Sequence, residues 1–190
     1  LVERYAAAPE TVVGWGVGGP SLGRPARFGT LVLGDLRIQD IAGDRYVGVK
    51  GAFADPDLGG NLGGGILRRF QVSFDYDAHL MYLAPHADTQ VPDDFDRSGM
   101  WLLAGEGLLE VGAVAPSGPA ERAGLRKGDR ITRIGADKVQ KRSLNDWRIR
   151  LRSLRAGTRL AITFQRDTAP AMTTELELAD AIPAHAIITP

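Results

Sequence analysis

The stretch that most constrains this chain runs from Val114 to Val139: V-A-P-S-G-P-A-E-R-A-G-L-R-K-G-D-R-I-T-R-I-G-A-D-K-V. Its prolines and glycines leave room for one order of elements. Pro116-Ser117-Gly118 ends an apolar strand with turn chemistry. Pro119 opens a helix of one or two turns through Ala120 and Ala123, where proline's missing N–H costs nothing. Gly124 terminates it as a C-cap glycine, and Leu125 falls back into a core. Lys127-Gly128-Asp129 turns the chain into a strand over Arg130 to Ile134, and Gly135-Ala136-Asp137 turns it out again.

The elements on either side are consistent with a small β-rich domain. Upstream, strands are expected at Trp101 to Leu103 and Leu109 to Val114, with Leu109, Val111 and Ala113 on one face. Downstream, Ser143 is a good N-cap with Asp146 at the capping-box position. The helix Leu144 to Leu154 places Leu144, Trp147, Leu151 and Leu154 on an apolar stripe, and Gly157 ends it. Leu160, Ile162 and Phe164 alternate in one strand, and Met172, Leu176 and Leu178 in the last.

This string resembles the signature of bacterial PDZ domains: small-Pro-Ala, then Ala-Gly-Leu, then Gly-Asp and an Ile-x-x-Ile strand. The resemblance implies a small β barrel or sandwich with two helices. It also implies that a peptide C-terminus adds as a strand beside one sheet edge and the long helix. The loop that would hold the peptide carboxylate on backbone N–H groups is Ser98-Gly99-Met100-Trp101. Met100 would line the pocket for the terminal side chain, and Trp101, Leu102 and Leu103 would pair with the peptide. Leu144 and Arg148 would form the groove wall, with Arg148 favouring an acidic peptide. Ser98 departs from the family, which has an apolar residue there. Arg148, Arg152 and Arg155 share one helix face, which also fits a solvated surface.

In the first half, Thr11 to Gly19 reads as a strand running into a glycine-rich hairpin tip. Leu31 and Leu33 alternate in a strand, and Leu36 and Ile38 in the next, across a Gly34-Asp35 turn. Tyr46 to Val49 is a third candidate strand. Phe53 to Gly60 is a polar loop, Ile66 to Phe70 a helical turn or two, and Val72, Phe74 and Tyr76 alternate before a return strand at Leu80 to Leu83. Residues 59 to 83 resemble the C-terminal part of retropepsin-like aspartic proteases, through Asn61-Leu62-Gly63, Ile66-Leu67, Phe70 and Phe74-Asp75-Tyr76. Gly14, Trp15, Gly16, Val17, Gly18 and Gly19 resemble that family's flap, and Leu31-Val32-Leu33-Gly34 the strand after it. The family's Asp-Thr-Gly or Asp-Ser-Gly is missing, since Asp88-Thr89 is followed by Gln90. The chemistry needs two carboxyls sharing a proton, so no catalytic residue is expected in this chain and no peptidase activity from it alone.

Composition adds exclusions. Lys+Arg 23 balances Asp+Glu 23, so bulk charge favours neither nucleic acid nor a membrane surface. There is no cysteine, and no apolar run is long enough to span a bilayer. His79, His86 and His185 lack metal spacing, so no metal or other cofactor is expected. Gly14 to Gly19 also fits G-x-G-x-x-G, and Gly19 to Gly23 fits G-x-S-x-G, but neither is followed by a helix.

The expected fold is therefore mainly β: a partial acid-protease-type domain over residues 1–84, a linker over 85–96, a PDZ domain over 97–181 and a tail over 182–190. The chain reads as the C-terminal piece of a longer aspartic endopeptidase whose PDZ domain recruits substrate C-termini. The alternative is a non-catalytic binding scaffold. The resemblance implies a periplasmic or envelope location, and open strand edges in the first half imply self-association.

Overall fold

The computed structural model describes residues 8–16, 18–48, 52–87, 89 and 93–182. The first half is built on a meander of three antiparallel strands, β1 (Thr11–Gly16), β2 (Gly19–Leu33) and β3 (Leu36–Tyr46). The expected turn forms: Leu33 pairs with Leu36, and Gly34 supplies φ +58°. The third strand does not start at Tyr46. It ends there, because the ladder to β2 runs from Leu36 to Tyr46 in one register; Val49 lies outside the described residues. The helical turn α1 (Gly64–Leu67) and the hairpin β4 (Phe70–Asp75) and β5 (Leu80–Pro85) follow. Ile66 and Phe70 pack on Ile38 and Ile41 to make a small core, with Phe28, Leu31, Val72 and Leu83 at its border. The far end of the hairpin is exposed at Phe74, Tyr76, Leu80, Met81 and Tyr82.

Asn61-Leu62-Gly63 is not the apolar strand that the protease resemblance requires. It is an exposed connection ahead of α1, with Gly63 as the N-cap. The reason is local. Glycines surround Leu62 on both sides, so no apolar face can form, and none of the described strands pairs with this segment.

The second half holds a sheet in the order β11-β10-β8-β7-β6: β6 (Met100–Gly105), β7 (Leu108–Val114), β8 (Arg130–Ile134), β10 (Arg159–Gln165) and β11 (Met172–Glu177). The short β9 (Asp137–Lys138) pairs with β8. Two helices accompany the sheet, α2 (Pro119–Arg122) and α3 (Leu144–Ser153). The turn chemistry of the opening stretch is realised: Pro119 stands in the first turn of α2, and Gly124 (φ +78°) and Gly128 (φ +90°) take left-handed conformations. Buried Asp129 explains the Gly-Asp turn. Its carboxylate accepts the Arg126 N–H at 2.8 Å and a two-pronged contact from Arg166 at 2.7 and 2.8 Å. Arg166 also donates to the Gly124 carbonyl, so one guanidinium joins the end of α2, the turn and β10.

Trp147 and Leu151 are fully buried between α3 and the sheet, as their stripe implies. Met172 is not part of that core. It opens β11 on the solvent side, while Leu176 and Leu178 are buried.

The stretch expected to be a linker is pinned instead. Asp93 pairs with Arg69 (2.7 Å) and Arg68 (3.1 Å), and Asp94 pairs with Arg97 (3.0 Å) and Arg27 (3.7 Å). Arg27 is buried. It also donates to Asp40, to the Asp93 carbonyl and to the Ile182 carbonyl, and its guanidinium lies over Phe95. Ile182, read as the start of a tail, is buried. Aliphatic stems and multiple carbonyl partners let Arg27 satisfy its donors away from water.

The Trp147 indole N–H donates to the Val139 carbonyl at 2.8 Å, so truncation removes both packing and a partner of a buried carbonyl. Trp147→Ala is expected to cost about 4 kcal/mol. Urea unfolding followed by circular dichroism should show a lower midpoint with an unchanged slope.

Candidate functional site

Strand β6 closes the sheet on one side, and no strand of the described residues pairs with its outer edge. Helix α3 packs beside it. Its start is held by the expected capping box: Ser143 Oγ accepts from the Asp146 N–H at 3.1 Å, and Asp146 Oδ2 accepts from the Ser143 N–H at 3.2 Å. The groove between β6 and α3 is therefore bounded by a strand whose outer edge no described strand covers and a helix fixed at its N-terminus.

The loop leading into β6 turns at Gly99, whose φ of +70° is reached without strain only by glycine. A Cβ at Gly99 would also come within 3.1 Å of Pro119 Cδ. The Ala115 N–H donates to the Gly99 carbonyl and the Ala120 N–H to the Ser98 carbonyl, which holds the loop against α2. Among the residues expected to bind peptide, Ser98, Met100 and Leu102 are buried, and Trp101, Leu103, Leu144 and Arg148 are half-buried. Met100 and Leu102 point into the core. Trp101 and Leu103 lie on the opposite face, over Gly112 of β7.

Arg148 reaches from α3 to β6. Its Nη2 donates to the Leu102 carbonyl at 2.6 Å, and its guanidinium sits 4.9 Å from the centre of the Trp101 ring. The Trp101 indole N–H is buried without a hydrogen-bond partner among the described residues.

One residue was missed by sequence reasoning. Asp96, assigned to the linker, accepts from the Ser98 N–H at 2.8 Å and from the Ser98 hydroxyl, while Ser98 Oγ accepts the Met100 N–H at 3.2 Å. Burial pushes the Asp96 carboxyl above the ordinary carboxylate range, against the Ser98 hydrogen bonds and the fields of Arg152 and Arg148, which pull it down. The available signal was Asp96 two residues ahead of Ser98, the spacing of a local side-chain turn. At the other end of the groove, a cavity of about 260 Å³ is lined by Ala104, Gly107, Val139, Gln140, Arg142 and Leu144.

Residues 99–178 match the PDZ domain family. The chain carries a PDZ domain over these residues. Similar solved structures include a photosystem II D1 C-terminal processing protease, at 29% identity over 43% of this chain and 22% of that one, TM-score 0.38. An HtrA-type protease AlgW with a decapeptide matches at 16% identity over 95% of this chain and 62% of the other, TM-score 0.41. A serine endoprotease from Yersinia pestis matches at 16% identity over 95% and 63%, TM-score 0.42. This chain thus spans 22% to 63% of the lengths of these three. No curated protein matches it.

The aspartic, retropepsin-like reading of the first half is not upheld. The residues that carried it sit in other settings. Gly14, Trp15 and Gly16 end β1, and Gly18 and Gly19 form the tip of an ordinary hairpin; Val17 lies outside the described residues. Asn61, Leu62 and Gly63 are exposed residues of a connection outside the described strands. Among the described residues no cluster of His, Asp and Glu could hold a metal ion, and no helix is long and apolar enough to cross a membrane.

Gly99→Ala is expected to cost about 1–2 kcal/mol from the left-handed backbone alone. Thermal unfolding of this variant should show a lower transition temperature.

Proposed function

We propose that the groove of the PDZ domain binds protein C-termini as an added strand on the outer edge of β6, and that this recruits those proteins to whatever larger assembly carries the chain. The observation that carries the reading is the edge of β6 that no strand of the described residues pairs with, lying between the Gly99 loop and α3. Backbone pairing along Trp101 to Leu103 would supply affinity irrespective of sequence, and side-chain pockets would supply preference. The terminal carboxylate would sit on the N–H groups of Ser98, Gly99 and Met100. Residues upstream in the peptide would run toward Leu144 and the cavity beyond it. Arg148, at the middle of α3, favours an acidic side chain at the position that passes it.

The test is titration of a C-terminal peptide library against the chain, followed by amidation of the tightest binder. Amidation is expected to weaken binding at least about tenfold, the loss of one charge-assisted contact. Unchanged affinity of the amide would refute binding through a free terminus.

A further inference from the structure

The nest that would receive a peptide carboxylate already holds one. Asp96 takes the Ser98 N–H and the Ser98 hydroxyl, and Ser98 Oγ in turn takes the Met100 N–H. Two of the three N–H groups at the mouth of β6 are therefore engaged by side chains of this chain. The positive groups that would attract an incoming carboxylate, Arg148 and Arg152 on α3, act on Asp96 instead. Arg148 also lies on the edge itself, through the Leu102 carbonyl and the Trp101 ring.

The backbone beside Asp96 is held on both sides. Arg97 donates to the Arg152 and Leu154 carbonyls at the end of α3 and pairs with Asp180. Asp94 pairs with Arg97 and Arg27, and Asp93 with Arg69. Asp96 is thus presented to the nest by neighbours anchored in both halves of the chain.

Resting on the C-terminal reading above, we propose that Asp96 is a built-in competitor for the carboxylate nest: a peptide C-terminus binds only by displacing it. Two carboxylates a few ångströms apart repel each other strongly, so the peptide terminus and ionised Asp96 cannot share Ser98 and Met100. Apparent affinity is then lowered by the fraction of molecules in which Asp96 occupies the nest. The device sets a threshold: a peptide gains the edge only if its strand pairing and side chains outweigh the Asp96 contacts. An acidic peptide side chain has an advantage, because it gives Arg148 a new partner as that residue leaves the Leu102 carbonyl.

The competition is pH-sensitive in a defined direction. The charged groups facing Asp96 are Arg148 and Arg152 from α3, and Arg97 beside it is paired with Asp94 and Asp180. Lowering the pH neutralises Asp96 before it neutralises a peptide terminus, whose ordinary pKa is about 3.5.

The experiment uses the whole 190-residue chain, the tightest peptide from the library as free acid, and the same peptide as C-terminal amide, followed by calorimetry. Asp96→Asn is expected to bind the free acid about tenfold or more tightly than the unsubstituted chain at pH 7.5, with the amide unaffected. In the unsubstituted chain, free-acid affinity is expected to rise as the pH is lowered from 7.5 toward the range in which the peptide terminus itself protonates, and in Asp96→Asn to stay flat. If amidation weakens binding but Asp96→Asn binds the free acid no better, the competitor role is wrong and the C-terminal reading stands. If neither protein distinguishes acid from amide, both are wrong. Should Asp96→Asn fail to fold, Asp96→Ser, which also removes the carboxylate, decides instead, and free-acid affinity no tighter than that of the unsubstituted chain would overturn the proposal.

Discussion

The loop that opens β6 depends on one carboxylate. The N–H groups of Ser98 and Met100 flank Gly99, where the chain turns, and each needs an acceptor. Asp96 supplies it, directly for Ser98 and through the Ser98 hydroxyl for Met100. The contact lies where β6 begins, beside α3. The first strand pairs that follow are Met100 with Val114 and Trp101 with Ala113. A bulge follows immediately, so Leu102 pairs with Val111.

A second carboxylate organises the turn into β8 of the same domain. Asp129 receives Arg166 and the Arg126 N–H where no water reaches it. Asp129 and Asp96 are both small acidic residues in turns, yet their settings differ. Asp129 is paired with a guanidinium at 2.7 Å, while Asp96 is held by neutral donors and only influenced by arginines at longer range. The Asp129 pair is structural for that reason. Asp96 is the one whose acceptor work a ligand could take over.

Much of the PDZ half was legible because its signals are local. Proline at the first turn of α2, glycines at φ +78° and +90°, and a Ser-x-x-Asp capping box act within four residues. The periodic stripe of α3 identified Trp147 and Leu151 as core, and they are fully buried. The first half was misread because glycine-rich windows look alike in different folds. Asn61-Leu62-Gly63 carries a motif's letters without a strand to pair with. The role of residues 93–97 was not legible at all. A polar, proline-flanked run has the same composition whether solvated or pinned, and its partners are far away in sequence: Arg27, Arg69 and Asp180. Arg27 joining Asp40, Asp93 and Ile182 is a tertiary fact with no local pattern behind it.

The account rests on the outer edge of β6 being the surface where peptide adds. Amide hydrogen exchange on the whole chain, with and without a saturating free-acid peptide, tests this most directly. Strand addition predicts slowed exchange across residues 100–104 and at the facing turns of α3, with little change in the β4–β5 hairpin. Unchanged exchange in β6, with protection confined to the exposed Phe74 to Tyr82 surface, would contradict it.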